Sequence, residues 1–128
     1  MRYLGHLLVL IHLFLLAWSI GGFLELLLSR VSWPPFTNQD FPKWWLPVHW
    51  GSVLTTALIF LFGYFTHWKK TPHFMMITYG MLALVCAIET FGFMTNQTKY
   101  LAMASEYVVY AVILLLLFKT DYFRKYFQ

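Results

Sequence analysis

The sequence has few charged residues for its length. Charged side chains make up 11% of the 128 residues, whereas a soluble domain typically carries about 25%. Hydrophobic residues make up 60%, against about 45–50% in soluble domains. Both departures indicate a membrane protein, and the length suits one domain with about four spans of roughly 20 residues each.

The chain also has only one cysteine, Cys86. A single cysteine excludes an intrachain disulfide and a cysteine-based metal cluster, and we expect Cys86, at mid-span, to be a small packing residue. The sequence contains no glycine-rich phosphate loop and no nucleophile elbow. The formal net charge of +4 does not indicate nucleic-acid binding, because the Lys and Arg residues lie at the ends of apolar runs, where they mark topology and meet anionic head groups.

The apolar runs predict an all-α fold, an integral membrane four-helix bundle in which residues 1–128 form a single domain. The predicted spans are about residues 5–28, 45–67, 72–94 and 100–118. The first run is too long for the h-region of a signal peptide and contains Glu25, so we expect a retained span.

One long connection, residues 30–43, joins the first two predicted spans. Pro34, Pro35 and Pro42 exclude a continuous helix there. The connection and the residues just after it are strongly aromatic, with Trp33, Phe36, Phe41, Trp44 and Trp45. This composition favours a loop that lies in the membrane interface; a lid over a cavity mouth is the alternative.

Four spans place both chain termini on the same side of the membrane. On that side lie six basic residues, Arg2, Lys69, Lys70, Lys119, Arg124 and Lys125. On the opposite side lie three, Arg30, Lys43 and Lys99. Because basic residues concentrate in the cytoplasmic loops of membrane proteins, we expect both termini in the cytoplasm.

Four ionisable residues, one in each span, are predicted to lie at the same depth. Glu89 interrupts the apolar run 82–93, and a carboxylate within a membrane span normally faces a partner, water or a ligand. Glu25, His49 and Glu106 lie on the other three spans, a few residues from the same membrane boundary. At a rise of about 1.5 Å per residue, all four lie roughly 5–9 Å below the non-cytoplasmic boundary. We therefore expect them to form one polar layer.

This polar layer favours a pocket for a small lipophilic molecule that carries an amine or a hydroxyl and enters from the bilayer. The candidate catalytic residues are Glu89, His49 and Glu25, since Glu and His are the usual proton carriers of an acid–base step, for example at a carbon–carbon double bond. Whether the protein is an enzyme stays open. The side chains expected to contact the ligand are those of Glu106, Ser52, Thr56, Tyr107 and Tyr110.

Three other interpretations of the polar layer compete with the pocket. Its residue types hold metals between helices, but the Glu-x-x-His pair of di-iron bundles does not occur, so no metal is predicted. Haem held by two histidines is disfavoured, because only His12 lies deep in a span, and we expect no cofactor. The third is a non-catalytic accessory or assembly subunit whose Glu residues form hydrogen bonds between helices. Its partner would be a second copy of the chain or another subunit of a membrane complex.

Four stretches of the chain share their layout with a known group of families. They are Phe23-Leu24-Glu25-Leu26, Phe41-Pro42-Lys43-Trp44-Trp45, Trp68-Lys69-Lys70-Thr71-Pro72 and Phe118-Lys119-Thr120-Asp121-Tyr122-Phe123. In these stretches the chain resembles the EXPERA families, which include sigma-2 receptor and sterol-isomerase relatives. The resemblance implies four helices around a hydrophobic pocket, in which acidic residues meet the amine of a ligand or a sterol-like carbocation.

By position, Glu25 and Asp40 match the acidic residues of the EXPERA families, and Trp45 is a further expected ligand contact. The second span departs from the pattern, because His49 and Ser52 occur where these families tend to have an acid. This departure argues against isomerase chemistry in particular. Small four-span DoxX-like bacterial proteins have a similar size and layout, so a DoxX-like membrane protein is an alternative to the EXPERA families.

Overall fold

The computed structural model describes residues 2–30 and 34–128, and over these residues the chain forms only helices, turns and loops. The helices are α1 (Arg2–Leu28), α2 (Leu46–Thr66), α3 (Thr71–Gly92), α4 (Lys99–Lys119) and α5 (Asp121–Tyr126). The first four are long and apolar enough to cross a membrane. The predicted all-α class and the four long apolar helices are therefore confirmed, although α1 begins at Arg2 rather than at residue 5.

Local sequence explains where α2 and α3 begin and how they are joined. Each has a proline in its first turn, Pro47 in α2 and Pro72 in α3. The N–H groups of the first turn have no hydrogen-bond partner within the helix, so the N–H that proline lacks is not missed there. His67 ends α2 in the left-handed conformation with φ 54°. Trp68 N then donates to Gly63 O at 2.9 Å, which satisfies a carbonyl of the last turn. The connection between the two helices is consequently short.

The helices pack in chain order, α1 on α2, α2 on α3 and α3 on α4, while α1 and α4 make at most marginal contact. The main apolar core lies at the end of the bundle that holds the start of α1 and all of α5, here called the terminal end. Its most buried side chains include Leu8, Phe60, Met75, Leu117 and Phe123, each at most 2% exposed. The terminal end is closed by this core, and the open seam runs between α1 and α4.

The C-terminal segment forms a short helix with a buried aromatic face and an exposed basic face. Residues Asp121–Tyr126 form α5, and Phe123 and Phe127 are buried in the core. Arg124 and Lys125 on the same segment are exposed. A short helix can thus bury one aromatic face and expose a basic one, which composition alone does not reveal.

The loop between α1 and α2 crosses the other end of the bundle, here called the loop end. Glu25 accepts hydrogen bonds from Phe36 N at 2.9 Å and from Thr37 N at 3.0 Å. Asp40 accepts two from Thr95, from its N at 3.1 Å and its Oγ1 at 3.0 Å. These bonds fasten the loop to α1 and to the turn before α4. Trp33, one of the aromatic residues predicted to lie in the interface, is outside the described residues.

Close packing of α1 against α2 supports the loop from below. Trp50 is 1% exposed, and its ring lies where a side chain at residue 22 would begin, so only Gly22 leaves room for it. The Trp50 Nε1–H donates to Thr37 Oγ1 at 3.1 Å. The indole therefore connects the wall between α1 and α2 to the loop above it.

Candidate functional site

Two adjoining cavities lie between the helices and the loop. The larger, here called the inner cavity, has a volume of about 520 Å³ and is lined by side chains of α1, α2, α3 and α4. The smaller, here called the outer cavity, has a volume of about 210 Å³ and lies under the loop, with Phe36, Asn38 and Phe41 in its wall. His49, Cys86, Glu89 and Glu106 line both cavities. The loop thus covers the loop end of the cavities, as in the lid alternative.

Glu89 is the central polar residue of this region and is 5% exposed. Its Oε1 accepts a hydrogen bond from Trp45 Nε1 at 2.8 Å and lies 2.5 Å from His49 Nδ1. No described residue bonds the second oxygen, Oε2. Among the described residues, however, every fully buried side-chain nitrogen or oxygen has a hydrogen-bond partner. Oε2 therefore keeps some accessible surface, and Glu89 lines both cavities.

His49 lies in the first turn of α2, which places it directly below the loop. Its ring packs against Phe41, with centroids 5.2 Å apart, and edge-on against Trp50 at 4.6 Å. These contacts and the bond to Glu89 fix the ring plane. No described residue bonds the other ring nitrogen, Nε2, so it remains able to bind a ligand in the cavity.

Glu106 brings a second carboxyl group to the cavities from α4. Its Oε2 accepts a hydrogen bond from the Tyr110 hydroxyl at 2.9 Å. The two residues are one turn apart on the same helix face, and both line the inner cavity. Three of the four residues of the predicted polar layer, His49, Glu89 and Glu106, consequently share one cavity wall.

The structure places Glu25, the fourth residue of that layer, against the loop backbone. Glu25 and Asp40 are not among the described residues that line either cavity. Both carboxylates accept N–H groups of loop or turn residues, which charged acceptors bind more strongly than neutral ones. Their geometry assigns them to holding the loop, where the sequence predicted a catalytic role for Glu25 and ligand contact for Asp40.

Three of the predicted ligand contacts bond to the helix backbone. Ser52 Oγ donates to His49 O and Thr56 Oγ1 to Ser52 O, both at 2.8 Å, so these hydroxyls bond back to their own helix. Tyr107 donates to Ala83 O at 2.7 Å and joins α4 to α3. None of the three lines the described part of either cavity. Trp45, the other predicted contact from this part of the chain, also does not line the described part of either cavity, but it donates to Glu89, which lines both.

A second buried polar pair, His12 and Tyr79, was not predicted. His12 is fully buried, stacks on Phe60 at 3.9 Å between centroids, and lies 2.7 Å from Leu8 O through Nδ1. Because a carbonyl can only accept, Nδ1 carries the proton, and in the neutral ring Nε2 accepts the Tyr79 hydroxyl at 2.8 Å. Tyr79 lines the inner cavity. The sequence shows His12 at depth, but nothing in it pairs a residue of α1 with one of α3.

The inner cavity opens sideways, between α1 and α4. Several lining residues on these two helices are exposed, among them Phe14 at 60% and Val109 at 49%. The lining residues on α2 and α3 are buried, as Trp50 and Tyr79 are, or half-buried. Since α1 and α4 barely touch, the cavity is closed by α2 and α3 at the back, by the loop at one end and by the core at the other. The seam is therefore the open side of the cavity.

The remaining side chains of the site bear on the metal alternative. Across residues 2–30 and 34–128, no group of three or more His, Cys, Asp and Glu side chains is placed to hold a metal ion.

Cys86 is buried, as expected of a packing residue, but it also lines both cavities. Its thiol therefore offers a single chemical label at the site.

No protein-family model, curated protein or solved structure matches this chain. The resemblance in layout to the EXPERA families consequently stays a prediction. Function is inferred from the site itself, in which a buried carboxyl group and an imidazole face an apolar cavity that opens between two helices.

Proposed function

We propose that this chain is an integral membrane protein with both termini in the cytoplasm. The four long apolar helices support insertion, as do the large apolar side chains exposed along them, for example Leu10, Leu24, Phe62 and Leu84. In water such an apolar surface would promote aggregation, whereas in a bilayer it contacts the apolar acyl chains of the lipids. The orientation follows from the excess of Lys and Arg at the terminal end.

We further propose that the protein binds a small lipophilic molecule carrying an amine or a hydroxyl in the inner cavity. One observation carries this proposal: Glu89 is only 5% exposed, yet its Oε2 lacks a described partner and the residue lines a cavity of about 520 Å³. A volume of roughly 300–1,000 Å³ suits a drug-sized ligand. An intramembrane carboxylate is costly unless something binds it, and a ligand donor group meets that need.

The lateral seam determines how such a ligand arrives. In a membrane, the exposed faces of α1 and α4 border the acyl chains, so a lipophilic molecule enters from the bilayer without crossing water. Its apolar body would contact Leu82, Val85 and Ile113, which line the cavity. Its polar group would then lie beside Glu89 and Glu106. A sterol-like or amine-bearing lipid, as the EXPERA resemblance implies, fits this description.

The His49–Glu89 pair also supports an acid–base step on the bound molecule as an extension of binding. An imidazole bonded through Nδ1 to a carboxylate is held in one orientation, with Nε2 directed elsewhere to exchange a proton. Catalysis needs a reactive centre within hydrogen-bond reach of Nε2. Binding without reaction needs only the Glu89 and Glu106 acceptors.

A non-catalytic subunit of a membrane complex is the second candidate, and it is favoured by the pairing of Glu25 and Asp40 within the chain. These carboxylates strengthen the fold and need no ligand. A subunit would have its cavity filled by a partner helix inserted between α1 and α4. Purification from a mild detergent would then yield a stoichiometric protein partner rather than a bound lipid.

The test is mass spectrometry of molecules that co-purify with the detergent-extracted protein. Wild type should retain a lipophilic amine or alcohol, and Glu89→Gln should lose it while keeping its thermal unfolding temperature within a few degrees. Asp121→Asn is the matched control, because Asp121 is an exposed carboxylate at the terminal end. Equal retention by wild type and Glu89→Gln would contradict the proposal.

A further inference from the structure

The hydroxyl groups that line the inner cavity all donate their proton to the protein. Ser105 Oγ donates to Leu101 O at 2.8 Å, and Tyr110 donates to Glu106 at 2.9 Å. Tyr79 donates to His12 Nε2. A hydroxyl has one proton and two lone pairs. Each of these groups can therefore offer the cavity a lone pair but no proton.

The nitrogen groups of the cavity wall follow the same rule. When His49 donates its Nδ1–H to Glu89, the neutral ring leaves Nε2 as an acceptor. The Trp50 Nε1–H is already bonded to Thr37. The indole of Trp18, which is 39% exposed, lies at the mouth of the cavity on α1, and the exposed Ser105 and Glu106 lie at the mouth on α4. Deeper in the cavity, the side chains of Glu89, His49 and Tyr79 present acceptors.

We propose that the inner cavity selects lipophilic ligands by the hydrogen-bonding character of their head groups: head groups that donate are bound, and head groups that only accept are rejected. This inference rests on the proposed function. An ammonium or hydroxyl head satisfies Glu89 Oε2. A ketone or ester oxygen there meets other lone pairs and leaves Glu89 Oε2 unsatisfied, which costs about 1–3 kcal/mol, or roughly 5- to 150-fold in affinity. The excluded class, lipophilic carbonyl compounds, is the distinctive part of the proposal.

Four probes of equal chain length test this selectivity: dodecylamine, dodecanol, methyl decyl ketone and dodecane. The readout is protection of Cys86 from N-ethylmaleimide, followed by intact-mass spectrometry of the full chain in detergent. Cys86 lines the cavity and is the only cysteine, so one added mass reports one site. Dodecylamine and dodecanol should half-protect at concentrations roughly 5- to 150-fold below those of the ketone.

Glu89→Gln gives a sharper test, because the structure fixes how the new amide must lie. The Trp45 N–H can only donate, so the amide oxygen takes the place of Oε1 and the amide NH₂ takes that of Oε2. The group that borders the cavity changes from acceptor to donor. Protection by the ketone should then strengthen while protection by the amine weakens, an inversion that a merely structural role does not produce.

Glu106→Gln repeats the exchange on α4 should Glu89→Gln fail to fold. The Tyr110 hydroxyl donates to Oε2 of Glu106, and an amide oxygen at that position keeps this bond and places the NH₂ where Oε1 lies. Here too the preference should move toward the ketone. Unchanged preference in every variant that folds would overturn the selectivity.

The outcomes separate this inference from the proposed function. If the ketone protects Cys86 as well as the amine does, the cavity binds lipophiles and only the selectivity is wrong. If dodecane protects Cys86 as well as the amine does, the cavity likewise binds lipophiles without selecting their head groups. If no probe protects, the binding function itself fails. Protection by amine and alcohol alone, with inversion in Glu89→Gln, supports both.

Discussion

The hydrogen bond from Trp45 to Glu89 gives the most exact test of how the site is held. Trp45→Phe keeps an aromatic ring against Phe93, 5.6 Å away between centroids, but removes the Nε1–H that lies 2.8 Å from Oε1. Hydrogen bonds to charged groups contribute about 1.5–3 kcal/mol. Because the carboxyl group is buried and keeps only His49 as a described donor, we expect a loss of about 2 kcal/mol, or roughly 5–15 °C in Tm.

The neighbouring tryptophan supplies a matched control for this prediction. Trp44 is 71% exposed and also stacks edge-on against Phe93, but it makes no described hydrogen bond to Glu89. Trp44→Phe should change Tm by about 2 °C or less, as expected of a surface substitution. Thermal unfolding of both variants in one detergent measures the difference.

A double-mutant cycle assigns the Trp45 effect to the carboxyl group. In a Glu89→Leu background, which has no acceptor at this position, Trp45→Phe should cost little, giving a coupling energy of about 1–2 kcal/mol. Equal losses for Trp44→Phe and Trp45→Phe, or the same loss with and without Glu89, would refute the reasoning.

Two further predictions concern the loop and its support. Glu25→Ala removes the acceptor for two loop N–H groups, so amide exchange at residues 36 and 37 should accelerate at least tenfold, while Trp45 remains bonded to Glu89. Hydrogen exchange with mass spectrometry measures this rate, and unchanged protection at residues 36 and 37 would contradict the prediction. Gly22→Ala should cost about 2 kcal/mol or more, because the added methyl meets the buried Trp50 ring, whereas Gly51→Ala, with open space at that position, should be neutral or slightly stabilising. Equal Tm values for the two alanine variants would contradict the close packing.

The sequence contained enough information for the helices and for the centre of the site. Apolar runs of span length, ended by Pro- and Lys-containing turns, predicted four long helices. A carboxylate within such a run is unusual enough to identify Glu89, and counting from the helix ends placed His49 near it. These predictions depend on length and composition, which a linear chain displays directly.

Direction around a helix was the part that counting could not supply. Depth places Glu25 level with Glu89, but only the packing of α1 turns its carboxylate to the loop backbone. The same limitation hid the His12–Tyr79 pair, since each residue alone looks like an ordinary core residue. Side chains on different helices meet according to helix rotation, which neighbouring elements set.

The aromatic loop shows a different limit. Its Trp and Phe residues fit an interfacial belt as well as a lid, and composition does not distinguish the two. What decides the arrangement is a set of specific bonds, from Phe36 and Thr37 to Glu25 and from Thr95 to Asp40. Such bonds join residues far apart in the chain and leave no periodic signal.

Photolabelling with a lipophilic amine that carries a diazirine beside its head group tests the central claim most directly. If the head group lies between Glu89 and Glu106 in a cavity reached through the α1–α4 seam, adducts should map to α3 and α4 near Cys86 and these two carboxyl groups. Excess dodecylamine should abolish them, and Glu89→Gln should reduce them at least tenfold. Adducts spread over the exposed outer faces of α1 and α4, unaffected by either change, would contradict the account.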